Sequence, residues 1–510
     1  MAKTGRLGTL LRVLSSTVTG VGVLALAGAG VAAGMLWEAP ESSTVQLPAV
    51  QVDASMLDLV CPPTPEVPTG EGGDIDYDEE FGTGGTEAQV SNRLVVVGRG
   101  GAAGEATAGP VGSASPETVP AHGDVRLYDS TESSALRLTA EPSGEQTALA
   151  AGAALARSDA GDLRGLAAGS CTPPAPSAWL VGGQTEPGAS ARLTLANPGP
   201  TPVEVTAQLW GATGALEEPV TVPVPANDSR QVLLESVSME PRLAVQVRVD
   251  GGAVAASLQD TVLNGLVPAG TATVTPTLPP AQELQIGPVP INSSGTASVR
   301  LVNPTDEVAT VALEVLGPQG STSLAGAEDL EIDPNTVTDV SLDGIDTGYS
   351  SIAVHSDQPV TGAVLVSRTG QAGELDPDQP VVDRAWLPAT GAAEHGLLPL
   401  VGLGSLVDRA ALSVTNPGED EVQLSVRPIG ADGQAGEPTE VTVPAGTTVP
   451  VGDDADLDLA DAAAVEITGG PVLASLTLAG HVSDGNLVGV LPLTPDADRD
   501  ESVAVRLSPY

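Results

Sequence analysis

Four histidines, His122, His355, His395 and His481, are the side chains best suited to acid–base or metal chemistry near neutral pH. No two of them stand at metal-ligand spacing, so each reads as structural. Carboxylates are plentiful, and two runs, Asp74, Asp76, Asp78 and Asp496, Asp498, Asp500, begin like calcium-binding loops. The sixth position of such a loop turns on glycine, yet here it is Glu79 or Glu501; the twelfth position of the first run is Gly85 instead of a carboxylate. Weak calcium binding is the most these runs imply. Gly98-Arg99-Gly100-Gly101-Ala102-Ala103 follows the apolar Leu94–Val97 and imitates a dinucleotide-binding turn. The residues after it, Gly104–Pro110, make no amphipathic helix, so the phosphate-binding context is missing. Neither a Gly-x-Ser-x-Gly elbow nor a His-Glu-x-x-His run occurs. The chain carries 65 acidic residues, which leaves a hydrolase with a carboxylate pair as an alternative, but nothing singles out a pair. No catalytic, metal or cofactor residue is assigned.

Cys61 and Cys171 are the two cysteines, and outside the cytoplasm an isolated pair is expected to form one disulfide. Trp179 and Trp386 stand at the entrances of repeated segments. They are candidate ligand-facing residues, or else plugs at the open ends of sandwiches.

The elements that must position these groups read as strands. Leu195-Ala196-Asn197-Pro198 returns as Leu301-Val302-Asn303-Pro304 and as Val414-Thr415-Asn416-Pro417, each copy followed by a glycine at the same offset (Gly211, Gly317, Gly430). The spacing of roughly 100 residues is the size of one β-sandwich. After each Asn-Pro step the chain alternates apolar and polar residues, as in Val203, Val205, Ala207 and Leu209, which is the period of a half-buried strand. Proline disfavours helix at the preceding Asn, whose side chain can close a turn. Further along each unit, Ala244–Leu258, Ser351–Val366 and Ala463–Leu478 read as hairpins turning at Asp250-Gly251, Asp357-Gln358 and Gly469-Gly470. About seven strands per unit point to an all-β chain of tandem immunoglobulin-like sandwiches.

Composition sets the surroundings. One Phe, four Tyr and four Trp leave few platforms for stacking bases or sugars, and the net charge of −45 repels nucleic acid. Lys3, Arg6 and Arg12 precede Val13–Trp37, which is uncharged and, at ~1.5 Å per residue, long enough for a ~30 Å hydrocarbon core. The basic flank places the N-terminus in the cytoplasm and the bulk outside. Val31-Ala32-Ala33 offers a signal-peptide cleavage site as the alternative, which would make the protein secreted. The expected organisation is a cytoplasmic tail at 1–12, a transmembrane signal anchor at 13–37, a spacer at 38–56, a degenerate module with an acidic loop at 57–178, and sandwiches at 179–290, 291–394 and 395–510.

Together the N-terminal anchor, Val60-Cys61-Pro62, Cys171 followed by Trp179-Leu180-Val181-Gly182, and the Leu193–Pro198 phrase resemble an actinobacterial family of membrane-anchored or secreted proteins known only as a domain of unknown function. The resemblance implies no activity and no catalytic residues. The expected role is a non-enzymatic scaffold or interaction protein of the cell envelope, anchored through 13–37, with an envelope protein or glycan as partner. The alternative is an accessory protein binding envelope polysaccharide through Trp179, Trp210, Trp386 and Tyr349.

Overall fold

The computed structural model describes residues 49–51, 54–67, 88–99, 101–144, 146–373, 376–452, 459, 461–497 and 502–504. The expected anchor at 13–37, the tail at 1–12, Asp74, Asp76, Asp78, Asp498, Asp500 and most of the acidic loop lie outside these residues. Among the described residues no helix is long and apolar enough to cross a membrane. Ala49–Gln51 pairs antiparallel with Ser502–Ala504 in a small unit of its own. The main unit, residues 53–501, is built from strands.

The second repeat shows the plan. Its strands in chain order are a (Ser177–Val181), b (Ala189–Asn197), c (Val203–Gly211), d (Val220–Val224), e (Asp228–Leu233), f (Ala244–Asp250), g (Ala255–Asn264) and h (Val267–Val274). They form two antiparallel sheets of order a-f-c-d and e-b-g-h. Val205, Ala207 and Leu209 of c meet Leu193 and Leu195 of b in a core from which water is excluded. Burying each such side chain contributes about 1.5–3 kcal/mol, which is what offsets the entropy of ordering so many strands. The same two-sheet order holds for the strands in 281–388 and 393–492, and also for those in 57–170.

This order corrects two expectations. Strands b–e and c–f pair as in an immunoglobulin domain, but a lies beside f, where that fold puts its last strand, and g lies beside b, where it puts its first. The segments read as hairpins are not hairpins: f and g belong to opposite sheets. In the third and fourth sandwiches they are one bent strand, Gly348–Ala372 and Ala462–Val482, that crosses between sheets. The polar or glycine residues at the bend look like a turn in sequence, yet the apolar residues on both sides of it face one core.

The sandwiches are not strung out in a line. Their h strands, Gly165–Ser170, Val267–Val274, Pro380–Pro388 and Gly485–Pro492, pack around a common axis, and the fourth sandwich closes on the first. Glycine makes this approach possible. A Cβ on Gly165 would lie 2.8 Å from both Asp383 Oδ1 and the Thr271 carbonyl, and one on Gly270 would lie 2.9 Å from the Arg384 nitrogen. Closure also buries the second face of strand b, so that Ser190, Arg192, Thr194 and Ala196 are covered as fully as the core-facing residues.

The repeated Asn is a buried polar staple. Asn197 donates to the Thr201, Val224 and Pro225 carbonyls and accepts from the Gly199 amide, so it ties the b–c turn to the end of d. Asn303 and Asn416 do the same in their sandwiches. In the first sandwich Arg126 takes over from strand e, donating to the Gly104 carbonyl in the b–c loop and to the Val119 carbonyl just after d. Cys61 and Cys171 form a disulfide between the two sheets of that sandwich, and Gly152 leaves the room it needs: a Cβ there would lie 2.5 Å from Cys171 Sγ.

Candidate functional site

The densest cluster of titratable groups lies where the fourth sandwich meets the first. His395, in the first strand of the fourth sandwich, bonds Glu466 Oε1 through Nε2 at 2.9 Å and Asp496 Oδ2 through Nδ1 at 2.9 Å. Arg427 Nε donates to Glu466 Oε2 at 2.9 Å. Arg99, just past strand b of the first sandwich, pairs with Asp496 Oδ1 and donates from Nε to the Thr147 carbonyl. Asp496 is therefore committed to Arg99 and His395, and the other carboxylates of its run, Asp498 and Asp500, lie outside the described residues. Hydrogen bonds that His395 donates to Asp496 and then to Glu466 outweigh its desolvation and push its pKa up to about 9. Burial raises the Glu466 carboxyl, but its bonds to His395 and Arg427 prevail and leave it below its ordinary value. Both ring nitrogens of His395 are bonded to carboxylates, so this imidazolium acts as a clasp and has no nitrogen open to a substrate.

A second group lies on the axis. Asp383 is wholly buried, and its Oδ2 accepts the Val488 amide of the fourth sandwich at 2.6 Å. Burial pushes its pKa up to about 7; the Val488 amide, the facing Arg384 and Leu166 amides and the charge of Arg164 offset only part of this. Neither the Arg384 nor the Leu166 amide makes a well-formed bond to Oδ1, which lies over Gly165. Arg164, only 1% exposed, forks onto Asp484 at 2.7 Å and reaches the Val382 carbonyl at 3.3 Å, so it links three sandwiches. Asp260, also fully buried, accepts from Trp386 Nε1 at 2.7 Å and lies 3.4 Å from Arg384 Nε.

The remaining junctions follow the same economy. Arg137 forks onto Asp58 and donates to the Pro198 carbonyl across the first and second sandwiches. Ser351, Thr415 and Thr448 form a buried hydroxyl chain ending on the Leu316 carbonyl between the third and fourth.

The tryptophans expected to face a ligand face the interior. Trp179 is 5% exposed and lies 4.7 Å, ring to ring, from the buried Trp210. Trp386 is 4% exposed, sealed between Asp260 and the guanidinium of Arg300. Their burial removes the main platforms of the polysaccharide-binding reading; Tyr349 is half-buried. His355 is half-buried and bonds Glu283, His122 is exposed, and exposed His481 bonds Asn486. The imitation of a dinucleotide turn after Val97 leads through a loop into the strand Ala106–Pro110. Among the described residues no group of three or more His, Cys, Asp or Glu is placed to hold a metal ion.

Sequence reasoning missed Arg93, Arg99, Arg164, Asp383 and Glu466. One signal was available: Val381-Val382-Asp383-Arg384-Ala385-Trp386 places two charges inside an apolar strand, which a protein tolerates only when they are paired.

No curated protein matches the chain. Residues 127–452 match a family described only as being of unknown function (DUF5719), a span that begins inside the first sandwich, covers the second and third, and ends inside the fourth. The match covers more than half of the chain, which therefore belongs to the DUF5719 family.

Proposed function

We propose that this chain is a non-enzymatic scaffold or interaction protein working outside the cytoplasm, held at the membrane by 13–37. The observation that carries the reading is where the buried charge goes. Arg164–Asp484, Asp383–Val488, Arg99–Asp496–His395 and Arg300 to the Gly183 carbonyl all join one sandwich to another. Groups so committed stiffen a ring instead of lining a reaction cleft, and a stiff ring presents its rim loops in fixed positions, which suits docking. The disulfide in the first sandwich supports an oxidising compartment.

The test is chemical cross-linking of the full chain in gently solubilised membranes, followed by identification of what is captured. A reproducible, stoichiometric envelope partner is expected. A full-length protein that recovers no partner but turns over an envelope polymer would overturn the reading.

A further inference from the structure

Arg93 and Arg300 are twins. Each lies in strand b of its sandwich, forks onto the Asp opposite it in strand e (Asp129 or Asp339), and sends Nη1 to a carbonyl just past strand a of the neighbouring sandwich (Leu400 or Gly183). The same place in the other two junctions holds a hydroxyl. Like Arg300, Thr194 and Ser413 stand three residues before the repeated Asn, and the residues opposite them in strand e are Gln231 and Pro450. Guanidinium and hydroxyl therefore alternate around the ring.

The two hydroxyl junctions differ. Between the third and fourth sandwiches Ser351, Thr415 and Thr448 bond one another directly, and Ser413 Oγ is sealed from water. Between the first and second a narrow crevice remains beside Thr194. Pro62 and Pro63 line it, and they follow strand a of the first sandwich as Leu400 and Gly183 follow theirs. Ser170 of the first sandwich and Thr194 and Thr275 of the second line it too. Each of these three residues is more than nine-tenths buried, and none of their hydroxyls bonds a protein group. Unlike Ser413 Oγ, their oxygens keep surface that water can touch.

About 10 Å³ of the crevice is open to the centre of a water molecule, which is room for one. Anything larger is shut out. No ionisable side chain lines the crevice, so a charged occupant has nothing to pair with. Water both donates and accepts, as hydroxyls do, and about three partners is the usual number for a buried water. Leaving three hydroxyls unbonded costs more than the entropy lost in holding one water.

We propose that this crevice is a binding site for one water molecule, which bridges Ser170 of the first sandwich to Thr194 and Thr275 of the second. The water does for this junction what the guanidinium groups of Arg93 and Arg300 do for theirs. The site goes beyond the interaction reading and does not depend on it.

Oxygen-17 relaxation dispersion of the solvent counts waters held inside a protein, and the test is run on the full chain. Thr194→Ile replaces the hydroxyl with a longer apolar branch, so the dispersion should lose the amplitude of one water. Thr194→Ser keeps the hydroxyl and should lose none. Full amplitude in a folded Thr194→Ile chain, or the same loss in Thr194→Ser, overturns the site. A crystal structure of the wild-type chain tests it without any variant. A water peak within about 3 Å of the Thr194 and Ser170 hydroxyl oxygens is expected. Clear density for both side chains with no peak between them overturns the proposal.

Discussion

Arg93 and Arg300 make the same bonds at opposite junctions of the ring, the first between the fourth and first sandwiches and the second between the second and third. The pairing shows that closure uses the same device as an internal junction, although no covalent linker joins the first sandwich to the fourth there.

The twins should differ in cost. Arg300→Ala uncovers Trp386 and leaves the buried Gly183 carbonyl without its donor, while Asp339 is a third exposed to water, and should destabilise by about 2–4 kcal/mol. Arg93→Ala leaves Asp129 in contact with water and should cost only about 1–2 kcal/mol. Denaturant titration of both variants checks the order; equal losses would refute it.

Asp383 should make the ring less stable as pH rises. Its folded pKa of about 7 lies above the ordinary 3.8, so the folded state holds a proton that the unfolded chain releases. The effect begins near pH 4, grows to about 4 kcal/mol and levels off above pH 7. Asp383→Asn keeps an acceptor for the Val488 amide and removes the ionisation, so it should raise the melting temperature at pH 8 and change it little at pH 4. A lower melting temperature at pH 8 in a folded variant would count against this account.

His395 governs the next window. Its pKa rises from 6.5 to about 9 on folding, so its stabilisation is complete below pH 6.5, declines above that, and is gone once pH passes 9. Because the Asp383 effect has levelled off by about pH 8, the fall in melting temperature between pH 8 and 9 belongs to the clasp. His395→Gln should flatten that slope; an unchanged slope would assign it elsewhere.

The Asn staples should be worth more than their place in turns suggests. Asn197→Ala leaves the Thr201, Val224 and Pro225 carbonyls without their donor in a buried site and should cost about 2–4 kcal/mol. Glu204→Ala, on the exposed face of the next strand, should stay within about 0.5 kcal/mol. Equal effects in urea melts would mean that the Asn is only a turn residue.

Much was legible in the chain. Alternation at Val203–Leu209 and its counterparts marked strands, the three Asn-Pro phrases marked equivalent positions, and two lone cysteines marked a bridge. Each of these is local, or is a pairing with one choice. The first sandwich was faint because Arg126, reaching from strand e, replaces the Asn of strand b, and no pattern along the chain reveals a donor supplied from another strand. The central groups were missed for a related reason. Thr415, Ser351 and Thr448 carry no signal along the chain, because a polar residue in a strand has the same pattern whether it meets water or another strand, yet they are buried and bonded to one another across a junction.

The sequence alone thus determined that this is a β protein of repeated units with one disulfide, because period, turn chemistry and cysteine count act over short range or without competition. Only the tertiary structure decided that the units close into a ring, that f and g cross between sheets, and that Trp386 is a lid and not a platform. Those outcomes depend on which polar face meets which, and a buried Ser or Thr ladder has the same alternation in sequence as a face turned to water.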